Sequence, residues 1–128
     1  MLNIDKDKNI ELTRGDMLPL TIKAKNKDGS DYVFQPNDVI RFSIVKKKDY
    51  NDVEFQKDFK VLEQSISVDI ELTANETKLG DTISKPVDYW YEVELNPDTE
   101  KTQTIIGYTK EKGATLFTLL PESGESKW

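Results

Sequence analysis

The sequence predicts an all-β protein, an immunoglobulin-like β-sandwich of seven to eight antiparallel strands with one short helical turn near residues 74–79. Short segments alternate polar and apolar residues, which is the period of a strand with one buried face. Turn-forming pairs such as Asp28-Gly29 and Asn96-Pro97 separate these segments. Regular short strands between turns are typical of β-sandwiches and small barrels. The Cys…Trp…Cys spacing of true immunoglobulin domains is missing, because the chain contains no cysteine.

The first half of the chain contains four segments with the strand pattern, at residues 10–12, 18–25, 39–45 and 53–61. The third is the clearest, with Ile40, Phe42 and Ile44 predicted to face the core. The fourth is ambiguous, because Phe55 and Phe59 also lie four residues apart, as on one face of a helix. Its neighbours are all β segments, so we interpret it as a strand.

The second half contains four further strand segments, at residues 65–72, 88–95, 102–109 and 114–120. Between the first two of these, Thr73 and Glu76 have the spacing of a capping box, and Gly80 is placed to end a helical turn. The last segment is apolar on both faces and is therefore predicted to be central or covered. We expect three regions: a flexible N-terminal arm at 1–9, the sandwich at 10–121 and a C-terminal tail at 122–128.

Composition and charge exclude several function classes. The net charge of -6 argues against a nucleic-acid partner, since phosphate binding needs a basic surface. The chain has no histidine and no cysteine, which removes the commonest general base, the commonest metal ligand and the thiolate nucleophile. No apolar run is long enough to span a membrane, and residues 1–8 are unlike a signal peptide. We expect no enzyme, no cofactor, no membrane partner and synthesis in the cytoplasm without export by the usual signal.

Carboxylate pairs and an Arg-Gly-Asp tripeptide are the motifs that first suggest chemistry. Glu92 and Glu94 share one strand face, but a solvated outer face explains such pairs without a metal. Arg14-Gly15-Asp16 suggests integrin binding on an extracellular protein. Three residues are a weak signal, and Gly15 suits a turn that needs a positive φ angle. We interpret the tripeptide as a structural turn.

The aromatic residues carry the most information about contacts. Trp90 lies in the outward phase of its strand, between Asp88 and Glu92. An exposed tryptophan is costly, so Trp90 either meets a partner or lies under the capped turn or a loop, and the pattern leaves both open. The chain also ends in a tryptophan, which either docks on a neighbour or is loose. The candidate interface residues are Trp90, Trp128, Glu92, Leu2 and Ile4.

The order of these motifs resembles one protein family. The segments that carry the resemblance are Ile-Glu-Leu-Thr-Arg-Gly-Asp at 10–16, Val-Ile-Arg-Phe-Ser-Ile at 39–44, Val-Asp-Ile-Glu-Leu-Thr at 68–73, Tyr-Trp-Tyr-Glu-Val-Glu-Leu at 89–95 and Leu-Pro-Glu at 120–122. Together they are similar to small β-sandwich domains of tailed phages and prophages of Gram-positive bacteria. The N-terminal domain of baseplate upper proteins is the nearest named example. The resemblance covers residues 8–122.

The resemblance implies a non-enzymatic structural protein of the virion, made in the cytoplasm of the host bacterium. Its implied partners are other phage structural proteins and further copies of itself. Baseplate upper proteins usually have further C-terminal segments, so a baseplate, tail or head position all stay open. The alternative function is a carbohydrate- or cell-surface-binding module, in which Trp90, Tyr89 or Tyr91 forms a stacking platform.

Overall fold

The computed structural model describes residues 1–122, which form nine β-strands and no helix. The strands are β1 (Leu2–Ile4), β2 (Ile10–Thr13), β3 (Leu18–Ile22), β4 (Val39–Lys46), β5 (Val53–Lys60), β6 (Val68–Leu72), β7 (Val87–Leu95), β8 (Gln103–Ile106) and β9 (Thr115–Leu120). The all-β prediction is confirmed. The ambiguous segment at 53–61 is a strand, as predicted, and pairs with β4 along its length.

The strands form one large sheet and one small sheet. The large sheet has seven strands. Six of them follow the order β1-β2-β9-β7-β4-β5, and the seventh, β8, pairs with the C-terminal end of β7. The small sheet contains β3 and β6 alone. The final strand β9 lies between β2 and β7, so its prediction as a central strand is confirmed.

One strand pair corrects the expectation of purely antiparallel sheets. β2 and β9 run parallel, with Ile10 opposite Phe117 and Leu12 opposite Leu119, while the other pairs among the described strands are antiparallel. Alternation along a strand reports which face is buried, but it carries no information on the direction of the neighbouring strand. A parallel pair needs a crossover connection, and here nearly the whole chain lies between the two strands.

The predicted helical turn near 74–79 is a second correction. Thr73 and Glu76 do form the capping-box hydrogen bonds, from Thr73 N to Glu76 Oε1 at 2.8 Å and from Glu76 N to Thr73 Oγ1 at 3.3 Å. Residues 74–77 nevertheless form hydrogen-bonded turns rather than a helix. The hydroxyl of Thr77 donates towards the carbonyl oxygens of Asp16 and Ala74, which anchors the segment to the loop after β2. The capping motif therefore closes a turn that is too short to continue as a helix.

The core is a single cluster to which both sheets contribute. Alternate residues of β7 enter it, and Tyr91, Val93 and Leu95 are buried while Trp90 lies on the opposite face, as predicted. The inward residues of β4 are also buried as predicted. The aromatic rings of Tyr91 and Phe42 stack with centroids 5.3 Å apart. Dense apolar burial of this kind is the main favourable term in the stability of the domain.

The Arg-Gly-Asp tripeptide has a structural role. Arg14 is only 8% exposed. Its guanidinium donates to the carbonyl oxygens of Leu79 and Gly80 at 3.2 and 2.9 Å, and to Glu122. Gly15 has a φ angle of 88°, which glycine adopts without strain. The tripeptide thus connects the loop after β2 to the segment before β7.

Candidate functional site

Trp90 lies on the outer face of the large sheet and packs against a loop. The ring of Tyr50, from the connection between β4 and β5, has its centroid 5.0 Å from that of Trp90, at an interplanar angle of 40°. Trp90 is half-buried as a result. Of the two alternatives that the pattern left open, the structure therefore places Trp90 under a loop, and part of the ring remains accessible. The capped turn does not provide this cover.

Glu92 is next to this aromatic pair on the same outer face. Burial raises the pKa of the Glu92 carboxyl, and the nearby charge of Glu94 raises it further. Burial also raises the pKa of Tyr50, with a further contribution from Glu92. The Tyr50 hydroxyl is buried without a hydrogen-bond partner in the described part of the chain. Trp90, Tyr50 and Glu92 thus form an outer patch that combines aromatic rings, a carboxyl group and an unsatisfied hydroxyl.

The predicted N-terminal arm at 1–9 contains the edge strand of the large sheet. Leu2 is opposite Leu12 and Ile4 is opposite Ile10, and directly opposite residues share one face of a sheet. Leu12 and Ile10 are fully buried in the core, whereas Leu2 and Ile4 are 37% and 39% exposed. The core-facing side of the large sheet therefore continues onto β1, where it is partly exposed.

A groove lies beside the free edge of β3. It has a volume of about 640 Å³ and combines apolar side chains with four lysines. The apolar and hydroxyl side chains of its lining include Ile4, Thr21 and Ile106. The four lysines are Lys6, Lys8, Lys23 and Lys112. Tyr91 lies at its base, and the Tyr91 hydroxyl donates to the carbonyl oxygen of Lys8 at 2.5 Å. Burial raises the pKa of Tyr91, so the group remains a neutral donor.

Sequence reasoning missed this groove and a second exposed apolar group. Lys6 and Lys8 are separated only by Asp7, but Lys23 and Lys112 are distant in the chain, so no basic run indicates the groove. Leu62 and Ile66 are 80% and 52% exposed, and Val33 is exposed beside the bridge between Phe34 and Ser65. The only signal for this group is that apolar residues interrupt otherwise polar loops.

The described residues contain little that suggests catalysis or metal binding. Within residues 1–122 there is no cluster of three or more Asp, Glu, His or Cys side chains arranged to hold a metal ion. Nor does that range contain a helix of the length and hydrophobicity that a membrane crossing requires. Trp128 lies outside the described residues, as does the predicted tail apart from Glu122. The site residues that can be placed are therefore Trp90, Glu92, Leu2 and Ile4.

These residues belong to two separate surfaces. Trp90 and Glu92 are on the outer face of the large sheet, and Leu2 and Ile4 are on the core-facing side of its edge strand. In comparisons with known proteins, no family model, no curated protein and no solved structure matches the chain. The resemblance to phage baseplate proteins stays a prediction from the motifs.

Proposed function

We propose that the protein is a non-enzymatic structural component of a bacteriophage virion and acts through protein-protein assembly. The observation that supports this most is the uncovered apolar side of β1. Leu2 and Ile4 continue the core-facing surface of Ile10 and Leu12, but they are 37% and 39% exposed. Exposed apolar side chains on an edge strand are typical of a surface that another chain covers.

The two sheets are proposed to form the β-sandwich of the phage family. Edge strands such as β1 offer unpaired backbone groups as well as apolar side chains, so a second copy or another virion protein gains both hydrogen bonds and apolar burial there. The motif order from Ile10 to Glu122 is the basis for choosing a phage over other assemblies.

A direct test is to look for the protein in phage particles. Particles induced from the strain that encodes the chain are purified on a density gradient, washed at high salt and analysed by mass spectrometry. A fixed copy number per particle is the expected result. A protein that is expressed in the induced cells but absent from intact particles would contradict the proposed location.

The contact itself is tested with a pair of variants on β1. Ile4→Lys places a charge on the uncovered apolar side, whereas Asn3→Lys places the same charge on the other face, where Asn3 bonds Glu11. We expect Ile4→Lys to abolish incorporation into particles and Asn3→Lys to retain it, with both variants folded by circular dichroism. Equal incorporation of both variants would show that this side of β1 is not the contact.

A carbohydrate- or surface-binding module is the second candidate, and the outer patch supports it. Aromatic rings are suited to stacking on a sugar ring, and a neighbouring carboxyl group is suited to accepting hydrogen bonds from the sugar hydroxyls. The chain has two tryptophans, so a Trp128→Phe background leaves Trp90 as the sole indole reporter. Saturable quenching of Trp90 fluorescence by purified host cell-wall polysaccharide, lost in Glu92→Ala, is the outcome expected for this candidate. Unchanged fluorescence would eliminate it.

A further inference from the structure

The small sheet has a free edge on β3, and the groove runs along it. Residues 19–23 all line the groove, so β3 borders it from Pro19 to its end at Ile22. The lining also includes Ile105 and Ile106 of β8, Ile4 of β1 and Tyr91 of β7. A groove with a strand edge along one side has the shape that an additional strand fills.

The register of β3 indicates which backbone groups face the groove. Pro19 is opposite Glu71 of β6, and a proline is tolerated in a strand where its nitrogen points away from the partner strand. Because hydrogen-bonding direction alternates along a strand, the N–H groups of Thr21 and Lys23 then point to the free edge. The hydroxyl of Thr21 donates to Asp69 at 2.7 Å, as expected for directly opposite side chains that lie close together.

The charge of the groove is opposite to that of the molecule. Its lining includes Lys6, Lys8, Lys23 and Lys112 but only one carboxylate, that of Asp7, in a chain whose net charge is -6. Within residues 1–122, only Lys112 of these four lysines forms an ion pair, with Asp7. Three ammonium groups are therefore available to a ligand. An excess of positive charge along an apolar channel favours an acidic partner.

We propose that this groove binds an extended acidic segment of a partner protein, which adds to β3 as a third strand of the small sheet. The segment's backbone pairs with Thr21 and Lys23, its apolar side chains cover Ile4 and Ile106, and its carboxylates meet the lysines. The proposal deepens the assembly role given above by naming a second contact and the chemistry of its partner. It shares Ile4 with the β1 contact but depends in addition on the edge of β3.

The probe is a fluorescein-labelled eight-residue peptide of alternating glutamate and valine, titrated with the purified full chain and followed by anisotropy. We expect saturable binding that weakens as salt is added, because surface charge attraction is screened. A lysine-valine peptide of the same length is expected not to bind. Charge reversal in Lys23→Glu is expected to weaken binding of the acidic peptide about tenfold. Absent binding, or equal binding of both peptides, would overturn the proposal.

Backbone pairing is tested with two substitutions at one position. Thr21→Pro removes the N–H that faces the groove, whereas Thr21→Val keeps it, and both remove the hydroxyl that contacts Asp69. We expect the peptide to bind the valine variant and to lose saturable binding with the proline variant. Equal affinity of two folded variants would overturn strand addition. If the proline variant is unfolded, an acidic peptide with N-methyl groups at alternate residues provides the decisive comparison, because it keeps the charges but cannot pair as a strand; equal affinity of the two peptides would overturn strand addition. This test uses no phage particle, so it and the test of virion location can fail independently.

Discussion

The guanidinium of Arg14 donates to the carboxylate of Glu122 across 2.9 Å, so the loop after β2 is joined to the segment after β9. Both side chains are largely buried, at 9% and 16% exposure. The same guanidinium also holds the carbonyl oxygens of Leu79 and Gly80. One side chain thereby connects three separate segments of the chain.

Replacing this arginine is expected to destabilise the fold strongly. Arg14→Leu leaves the Glu122 carboxylate and two carbonyl oxygens without their donor, and breaking a buried pair costs about 3 kcal/mol. Lys25→Ala breaks an exposed ion pair with Asp31 and is the matched control, with a much smaller expected loss because solvent screens the pair. Urea unfolding of both variants gives the comparison. Similar losses in the two variants would contradict a structural role for Arg14.

Alanine substitutions at two glycines with the same φ angle distinguish the cost of backbone strain from the cost of steric crowding by neighbouring side chains. Gly15 and Gly29 both have a φ angle of 88°. A Cβ atom at Gly29 meets nothing within 4 Å, whereas one at Gly15 lies 3.1 Å from Lys78 Cε and 3.2 Å from Glu122 Oε1. Gly29→Ala is expected to cost about 1 kcal/mol for the left-handed angle alone. Gly15→Ala is expected to cost about 2 kcal/mol or more, because the Glu122 side chain must also move. Equal thermal shifts would show that Glu122 moves freely.

The Tyr91 hydroxyl is expected to stabilise the loop between β1 and β2. Tyr91→Phe keeps the ring that stacks on Phe42 but loses the hydrogen bond to the Lys8 carbonyl, at a cost of about 1 kcal/mol. Hydrogen exchange should accelerate in residues 5–9. Tyr91→Ala also loses the packing and is expected to cost about 4 kcal/mol. Unchanged exchange in the phenylalanine variant would mean that the loop is held by other contacts, such as those between Asn9 and Asp5.

The stability of the domain is expected to depend on pH through Glu92. Because the pKa of Glu92 is raised by burial and then by Glu94, the folded state binds the proton more tightly than the unfolded state. This contribution to stability is therefore present below the unfolded pKa and is lost as pH rises through the folded pKa. Glu92→Gln is expected to raise the urea midpoint at pH 7 relative to the natural chain and to leave it similar at pH 4.

A control at the neighbouring carboxylate separates the two causes of the raised Glu92 pKa. Glu94→Gln removes the repulsion but not the burial, which is the larger cause, so we expect a smaller rise in the midpoint at pH 7. If Glu92→Gln lowers stability at pH 7, the Glu92 carboxylate must have a favourable partner in solution, and the predicted sign is wrong.

Local patterns predicted most of the strands because one buried face leaves a direct trace in the sequence. The alternation of β7 correctly assigned Tyr91 and Val93 to the buried face and Trp90 to the outer face. The apolar run of β9 correctly indicated a central strand. The capping box at Thr73 and Glu76 was also read correctly as hydrogen bonds. Its continuation into a helix was wrong, because tertiary hydrogen bonds from Thr77 hold the segment as a turn.

The features that local patterns missed all depend on residues far apart in the chain. Nothing near Trp90 indicates that Tyr50 covers it, since the contact requires the loop between β4 and β5 to fold back. The lysines of the groove are likewise brought together only by the arrangement of β1, β3 and the loop after β8. The parallel pairing of β2 and β9 was missed for the same reason.

That parallel pair has a consequence for the order in which the protein forms during synthesis. Ile10 emerges from the ribosome well before its partner Phe117. Until then, the hairpin of β1 and β2 has no neighbouring strand, and its apolar side chains have no complete core to enter. Contacts between residues so distant in sequence form slowly. Until they form, the unpaired strands and their apolar side chains are prone to aggregate. A nascent chain interrupted before Thr115 therefore lacks the strand that joins β2 to β7.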